Sequence, residues 1–330
     1  AALVTAAVSC KKNNDTESLP SMNGMLTFNI PAFVKPNDVV IMTPKGLRHP
    51  EDGIIGYCWK VTPGNMPIDT TRYESGLDKN GNKSDGSFRY HFSDSLGTYT
   101  VSCYGFAEGY NSSYASSYST VVKGGLNGSI TGTGIMSFDS KISSEGKDYY
   151  FKDHNGLEWF RNNLADPSYG VSYYNSDAML DVFGNYYSYE EAIKACPEGW
   201  RLPTDAEWAG LANTINPEAN AVAGEPIKGI SKDLMANIMF NGTEMWEYWP
   251  TVGEITNSSR LAAIPAGYAK YHQATFFGVY EYAVFWTADK VEGEENMAYY
   301  RYIICDQPDM QIGKGDTRTF GANVRCVREK

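Results

Sequence analysis

Residues 188–211, SYEEAIKACPEGWRLPTDAEWAGL, carry the strongest structural signals in the chain. Ser188 and Glu191 have the spacing of a capping box, in which the first side chain accepts a hydrogen bond from a helical N–H and the Glu side chain accepts one from the capping residue. Thr204 and Glu207 have the same spacing. The pattern predicts two short helices, each starting one residue after its Ser or Thr.

The segment between these two helices has signals of its own. Pro197 and Gly199 end the first helix, because Pro cannot continue it and Gly accepts the left-handed backbone of a helix end. The run Gly199–Pro203 is apolar and too short for a helix, which predicts a buried strand. Cys196 closes the first helix, where it could be cross-linked to another element.

The order of these features resembles the Fibrobacter succinogenes major paralogous domain family: a helix ending in Cys, then Gly-Trp-Arg-Leu-Pro-Thr, then a helix with Glu-Trp. The resemblance extends over roughly 190 residues, and no motif in it stands alone. The other matching segments are Lys147–Asp153, Leu157–Leu164, Ala262–Tyr268, Val284–Thr287, Ala298–Tyr302 and Gly321–Val327.

The fold of that family is similar to a C-type lectin-like domain. The resemblance therefore implies an α+β domain over residues 135–330, with looped-out segments on a small antiparallel sheet. In such a fold a disulfide ties the first helix to the last strand, and the matching residues here are Cys196 and Cys326. The looped-out segments are where such a fold displays its ligand-facing surface.

Composition indicates a mostly β protein of two domains. The chain has 330 residues, of which 42% are hydrophobic and 20% charged, which is ordinary globular composition. Its 24 Tyr, 7 Trp and 32 Gly favour strands, turns and aromatic surfaces over helix bundles. A net charge of −11 argues against nucleic acid as a partner, since such binding needs a basic face.

Residues 1–21 have the composition of an export signal followed by a tether. Ala1–Ser9 is small and apolar, and Ala7–Cys10 resembles a loose bacterial lipobox, although Ala7 stands where Leu is usual. Lys11–Pro20 is polar and unpatterned, as a flexible tether should be. These features predict an exported lipoprotein, anchored through lipid on Cys10 to the outer membrane and exposed at the surface. The alternative is an ordinary secretory signal with an accidental Cys.

Residues 22–123 are predicted to form an immunoglobulin-like β-sandwich. Six runs have period-two character and are separated by turn residues. The runs are Met25–Ile30, Val39–Met42, Gly56–Val61, Ser87–Phe92, Tyr99–Gly105 and Tyr114–Val122. Gly56–Trp59 and Gly97–Val101 resemble the polycystic-kidney-disease-type domain, but the Gly-Asp-Gly turn of that family is absent after Trp59. Residues 124–134, GGLNGSITGTG, are the predicted linker.

Three cysteines of the chain fall outside the implied disulfide and the lipobox. If Trp59 and Tyr99 face the core, alternation places Cys103 inward and Cys58 outward, which argues against a bond between them. A bulge between Cys58 and Trp59 would reverse that conclusion. With Cys10 lipidated, at least one of the five remaining cysteines is unpaired, and Cys305 is the predicted one.

Two further local signals concern backbone geometry. His154-Asn155-Gly156 is predicted to be a hairpin turn, because Asn-Gly tolerates positive φ. Ser231–Met239 is a candidate third helix.

Neither a metal nor a catalytic constellation is predicted, and no cofactor is expected. Asp78–Asn82 has the alternate oxygen spacing of a calcium loop but lacks its later Gly and Glu. Gln307–Asp309 matches the sugar-binding signature of C-type lectins without the strand that follows it there, so calcium is possible but unsupported. The four His show no ligand spacing, and no nucleophile elbow or phosphate loop is present.

The function that fits these features is a surface adhesin or binding module that recognises a glycan or a partner protein through the C-terminal domain, and not an enzyme. The predicted ligand contacts lie on the irregular aromatic segment after the helices: Trp246, Tyr248, Trp249, Tyr271 and His272. A packed loop is the alternative for Trp246 and Trp249. The other functions considered are a pilus-tip or assembly subunit that docks by strand addition and a formylglycine-generating type of enzyme, which would need a low-pKa Cys305.

Overall fold

The computed structural model describes residues 18–63, 70–74, 85–125, 128–132, 140–247 and 252–330. Strands dominate these residues and helices are few and short, so the predicted mostly β class is confirmed. The chain divides into two compact units. Of the described residues, those up to Ile30 and those in 40–90 and 100–117 form the first unit, and those in 31–39, 91–99 and 118–330 form the second.

Seven strands of the described residues precede the predicted linker. They are β1 Phe33–Val34, β2 Val39–Met42, β3 Gly56–Pro63, β4 Thr70–Glu74, β5 Phe88–His91, β6 Gly97–Phe106 and β7 Ser113–Val121. β2 pairs with β5, and the larger sheet has the order β1-β7-β6-β3-β4. Five of the six predicted runs form strands; Met25–Ile30 is the exception, since only Thr27 forms a bridge there, with Lys45.

The core of the first unit follows the alternation expected from the sequence. Trp59 and Cys103 are fully buried, whereas Cys58 is only half-buried. Trp59 stacks on Phe88 and donates its Nε1–H to the Gly86 carbonyl at 3.0 Å. Cys58 and Cys103 are both free thiols, as the alternation argument predicted.

The described residues of the second unit form four α-helices and the remaining strands. The elements are β8 Ile130–Gly132, β9 Lys141–Ser144, β10 Lys147–His154, β11 Leu157–Phe160, β12 Val171–Ser172, α1 Asp177–Phe183, β13 Asn185–Tyr186, α2 Tyr189–Ala195, α3 Asp205–Ile215, α4 Ser231–Leu234, β14 Ile238–Phe240, β15 Thr243–Glu244, β16 Tyr268–Lys270, β17 Thr275–Phe277, β18 Tyr282–Lys290, β19 Met297–Ile304, β20 Gln311–Asp316, β21 Phe320–Gly321 and β22 Val327–Glu329. The sheets are β22-β11-β10-β9, β18-β19-β20, β17-β16-β21, β15-β14-β8 and β12-β13.

Both predicted capping boxes are present, and α2 and α3 begin where they were expected. The Thr204 hydroxyl accepts from the Glu207 N–H at 3.2 Å, while the Thr204 N–H donates to the Glu207 carboxylate at 2.7 Å. The hairpin turn of β10 and β11 is also confirmed, with φ of 56° at Asn155 and 88° at Gly156. The predicted third helix is shorter than Ser231–Met239, because β14 starts at Ile238.

Two sequence predictions about strands require correction. Gly199–Pro203 is not a strand: only Arg201 forms a bridge, with Val327, because Gly199 has positive φ and Pro203 cannot donate to a ladder. Within the predicted linker, Ile130–Gly132 forms β8 and pairs with β14. The strand prediction relied on alternating apolar residues and therefore missed β8. Strands pair through backbone hydrogen bonds, which need no apolar side chains.

Strands β18 and β19 separate two hydrophobic cores. Successive side chains of a strand point to opposite faces of the sheet. Phe285 and Ile303 accordingly join a cluster that contains Trp208 of α3, whereas Val284, Trp286 and Ala298 join a cluster that contains Trp200. This arrangement leaves the outer rim of the second cluster partly exposed.

The disulfide implied by the family resemblance is present. Cys196, directly after α2, is bonded to Cys326, directly before β22, with the two Cα atoms 5.9 Å apart. The bond closes the second unit between its first capped helix and its last strand.

Candidate binding surface

The β18-β19-β20 sheet presents aromatic rings on one face. Tyr300 and Tyr302 lie two residues apart on β19 and therefore on the same face, and Tyr282 of β18 reaches them. The ring centroids are 5.6 Å apart for Tyr300 and Tyr302 and 6.4 Å apart for Tyr282 and Tyr302. All three side chains are half-buried: each packs against the second core cluster and remains partly accessible to solvent.

The neighbouring β17-β16-β21 sheet extends this face. Phe320 of β21 stacks on Tyr300 with centroids 4.5 Å apart, and Tyr268 of β16 stacks on Phe320 at 5.6 Å. Phe277 of β17 stacks on Tyr268 at 5.6 Å and is 41% exposed. We call this set the aromatic patch: Tyr268, Phe277, Tyr282, Tyr300, Tyr302 and Phe320.

Two glycines on β20 make room for the patch. Gly313 lies opposite Tyr300, and a Cβ added at Gly313 would lie 2.4 Å from the Tyr300 ring. A Cβ at Gly315 would lie 2.7 Å from the Phe320 ring. Any larger residue at either position would displace a ring, so these glycines are required for the observed packing of Tyr300 and Phe320.

A depression of about 330 Å³ lies beside the patch and combines apolar and polar groups. Tyr268, Phe277 and Phe320 form its apolar wall. Its polar residues include Lys270, Lys314, Asp316 and Thr319. Asp316 accepts hydrogen bonds from the N–H groups of Arg318 and Thr319, and these bonds lower the pKa of its carboxyl. An anionic acceptor therefore stands beside flat rings, a combination that suits a ligand with both hydroxyl and C–H surfaces.

The predicted ligand contacts are placed very differently from one another. Trp246 is 2% exposed, belongs to the core that contains Trp208, and donates its Nε1–H to the Ala236 carbonyl at 3.0 Å. Trp246 is therefore part of a packed loop, which was the alternative, and its prediction as a ligand contact is wrong. Tyr248 and Trp249 lie outside the described residues, so their assignment stays a prediction.

Tyr271 and His272 follow β16 directly and lie next to the strand that carries Tyr268. Tyr271 is half-buried, and its pKa is raised by burial and by a hydrogen bond with Glu191. His272 is exposed, and its ring centroid is 5.9 Å from that of Tyr271. Ligand contact by this pair stays a prediction.

The patch itself was not predicted, although a signal for it exists. Tyr300 and Tyr302 alternate with the buried Arg301 and Ile303, which is the pattern of a strand with one aromatic, partly exposed face. The partner residues come from four other strands, spread from residue 268 to residue 320. No local pattern brings such residues together.

Of the two motifs with possible calcium ligands, the Gln-Pro-Asp motif lies within the described part of the chain. The Asp309 carboxylate of the Gln-Pro-Asp motif accepts the Gly229 N–H at 2.8 Å and so holds a loop. No group of three or more His, Cys, Asp or Glu suited to a metal lies among the described residues. The candidate loop Asp78–Asn82 and the lipobox Cys10 both lie outside them.

Cys305 is a free thiol that is 3% exposed. Burial, followed by the charges of Asp306 and Glu281, raises the pKa of Cys305 to about 11. A thiol of this kind stays protonated at neutral pH and is a poor nucleophile.

Residues 152–328 match the Fibrobacter succinogenes major domain family. Because the match covers more than half of the chain, the protein belongs to this family, as the sequence resemblance predicted. The matched region includes every residue of the aromatic patch. The curated proteins contain no match to the chain. In the part of the chain that the structure describes, no helix is both long and apolar enough to cross a bilayer.

Proposed function

We propose that the protein is a cell-surface binding protein that recognises a carbohydrate through the aromatic patch. The observation that carries the proposal is the run of stacked, half-exposed rings on two adjacent sheets, from Phe277 through Tyr268 and Phe320 to Tyr300. Sugar rings expose flat C–H faces that pack on aromatic rings, and rigid Tyr and Phe side chains lose little entropy on binding.

The polar surroundings favour a carbohydrate over a purely apolar ligand. Lys270 and Thr319 are exposed beside the rings, and Asp316 offers a carboxylate held in place by backbone N–H groups. Hydroxyl groups of a bound sugar would find both donors and acceptors there. Tyr271 and His272, the accessible members of the predicted contact set, would extend the site along β16.

A glycan array on the folded chain, with and without a chelator, tests the proposal. Phe277→Ala and Tyr268→Ala should each weaken the best glycan at least tenfold, because each removes a stacking face. Tyr118→Ala is the matched control, since Tyr118 is 64% exposed and lies outside the patch. Full binding by both patch variants would disprove the proposal, and loss of binding only with chelator would add calcium to the site.

The surface location rests on the lipobox alone. We propose that Cys10 carries lipid and that the polar segment after it acts as a tether. Cys10→Ser should move the protein from the membrane fraction to the soluble fraction. An unchanged membrane fraction would mean that the anchor lies elsewhere.

The two other functions have less support. Strand addition would favour a long free edge, and β4, at the end of its sheet in the described residues, has five residues. A formylglycine-generating type of enzyme would need a reactive thiol, and the pKa of Cys305 is raised rather than lowered.

A further inference from the structure

A cavity of about 610 Å³ lies within the second unit, away from the residues of the aromatic patch. Its wall includes α1, β9, β10 and the chain that directly follows β1, β7 and β11, and its volume is in the range of small-molecule pockets. Apolar residues such as Val122 and Leu180 form part of the wall. None of the patch residues contributes to it.

The charged residues of this cavity are mostly cationic, although the whole protein carries a net charge of −11. Among the described residues, six cationic ones line it: Lys35, Lys123, Lys141, Lys147, Arg161 and Arg325. Two acidic residues of this part of the chain do so, Asp148 and Asp181. A concave surface with low-dielectric walls concentrates such a field and attracts anions.

Both acidic residues are already engaged by lysines of the same wall. Lys141 contacts Asp148 at 2.6 Å, and Lys147 contacts Asp181. Lys35 is 3.5 Å from the second oxygen of Asp181. None of these three ion pairs involves Arg325.

Arg325 is the most unusual of the cationic residues, because it is 1% exposed. Among the described residues, its hydrogen bonds go to neutral oxygens, those of Asn163, Phe160, Leu261 and Ala262. Burial, and then the charge of Arg161, lower its pKa to about 9. A buried guanidinium without a carboxylate partner is costly, and a nearby anion would offset that cost.

We propose that this cavity binds a small ligand that carries a carboxylate, phosphate or sulfate group. Lys123 and Lys147 both lie at its wall. Lys147 also contacts Asp181, and the ammonium group of a flexible lysine side chain can reach a bound anion as a point charge. The buried Arg161 and Arg325 supply a fixed positive field behind them. The apolar part of the wall accommodates the uncharged remainder of the ligand. This site is separate from the patch of the proposed function, so either can fail without the other.

Titration calorimetry at constant ionic strength tests the proposal on the folded chain, with inorganic phosphate, sulfate and acetate as probes and acetamide as the neutral control, none of which is a sugar. At least one anion should bind while acetamide does not, and the three anions distinguish a phosphate or sulfate group from a carboxylate. The double variant Lys123→Gln/Lys147→Gln should weaken binding at least tenfold. Lys228→Gln/Lys290→Gln, with two exposed lysines outside the cavity, should leave binding within about twofold.

Three results would overturn the proposal: no binding of any anion, full binding by the cavity variant, or equal weakening by both double variants. Acetylation of the unmodified protein supplies a second measurement if the cavity variant does not fold. The bound anion should protect Lys123 and Lys147 from acetylation and leave Lys228 and Lys290 unprotected. Equal reactivity of all four lysines with and without the anion would also contradict the proposal.

Discussion

Trp246 shows how a single side chain is assigned by its surroundings rather than by its neighbours in sequence. It lies in an irregular, aromatic stretch, as a ligand contact would, yet it is buried and its indole N–H is satisfied by Ala236. A buried Trp that donates this bond belongs to the core.

Trp246→Ala should therefore lower the free energy of unfolding by about 3 to 5 kcal/mol, because it removes a large buried ring and leaves a cavity. Urea denaturation followed by circular dichroism measures the loss. Tyr118→Ala is again the matched control and should stay within about 0.5 kcal/mol. A Trp246→Ala protein of unchanged stability would place this side chain at the surface after all.

At the scale of one element, the capping box of α3 is reinforced by a neighbouring arginine. Arg201 donates to both oxygens of Glu207, at 2.6 and 2.9 Å, and also to Glu329. Burial alone would raise the pKa of Glu207, but the hydrogen bonds from Arg201 and Thr204 outweigh it and lower the pKa. Glu207 therefore caps α3 and also fixes Arg201, which lies in the segment before the helix.

This depressed pKa predicts acid sensitivity. A carboxyl whose folded pKa lies below its unfolded value of about 4.3 contributes stability above that value and loses it as the pH falls through the folded pKa. Glu207→Gln should be less stable than the unmodified protein at pH 7 and should lose less on acidification from about pH 5 to pH 3. Urea midpoints against pH measure both effects. Glu329→Gln, whose side chain is 77% exposed, is the control with a smaller effect, and identical pH curves for Glu207→Gln and the unmodified protein would refute the prediction.

At the scale of the whole molecule, one bond closes most of the family domain. Cys196 and Cys326 are 130 residues apart in sequence, and the loop between them contains α3, the aromatic patch and β18 to β21. Such a bond acts mainly by restricting the unfolded chain.

Removing this bond with the double variant Cys196→Ala/Cys326→Ala should lower the stability of the second unit by about 5 kcal/mol on the chain-entropy account. Thermal unfolding with and without reductant measures the loss, and the reductant should have no effect on the variant. Peptide mapping supplies the independent check. Finding both thiols free in protein purified without reductant would remove the basis of the prediction.

Much of the second unit could be predicted from short patterns. The capping boxes and the Asn-Gly turn depend on residues a few places apart, whose geometry is set by backbone hydrogen bonding and allowed dihedral angles. Those patterns were sufficient to recognise the family and to place α2 and α3. They failed at Gly199–Pro203 and at β8, where the partner strand is distant in sequence.

The surfaces that carry the two proposals depend on long-range contacts. The aromatic patch gathers rings from five strands, and the cationic cavity gathers residues from Lys35 to Arg325. Whether a Tyr or an Arg is buried, stacked or accessible is decided by what the remaining chain packs against it, which is why Trp246 and Tyr268 differ although both lie in aromatic stretches. Local sequence specifies the conformation of short segments because its interactions are local, and the sites arise from packing between segments that only the complete fold brings together.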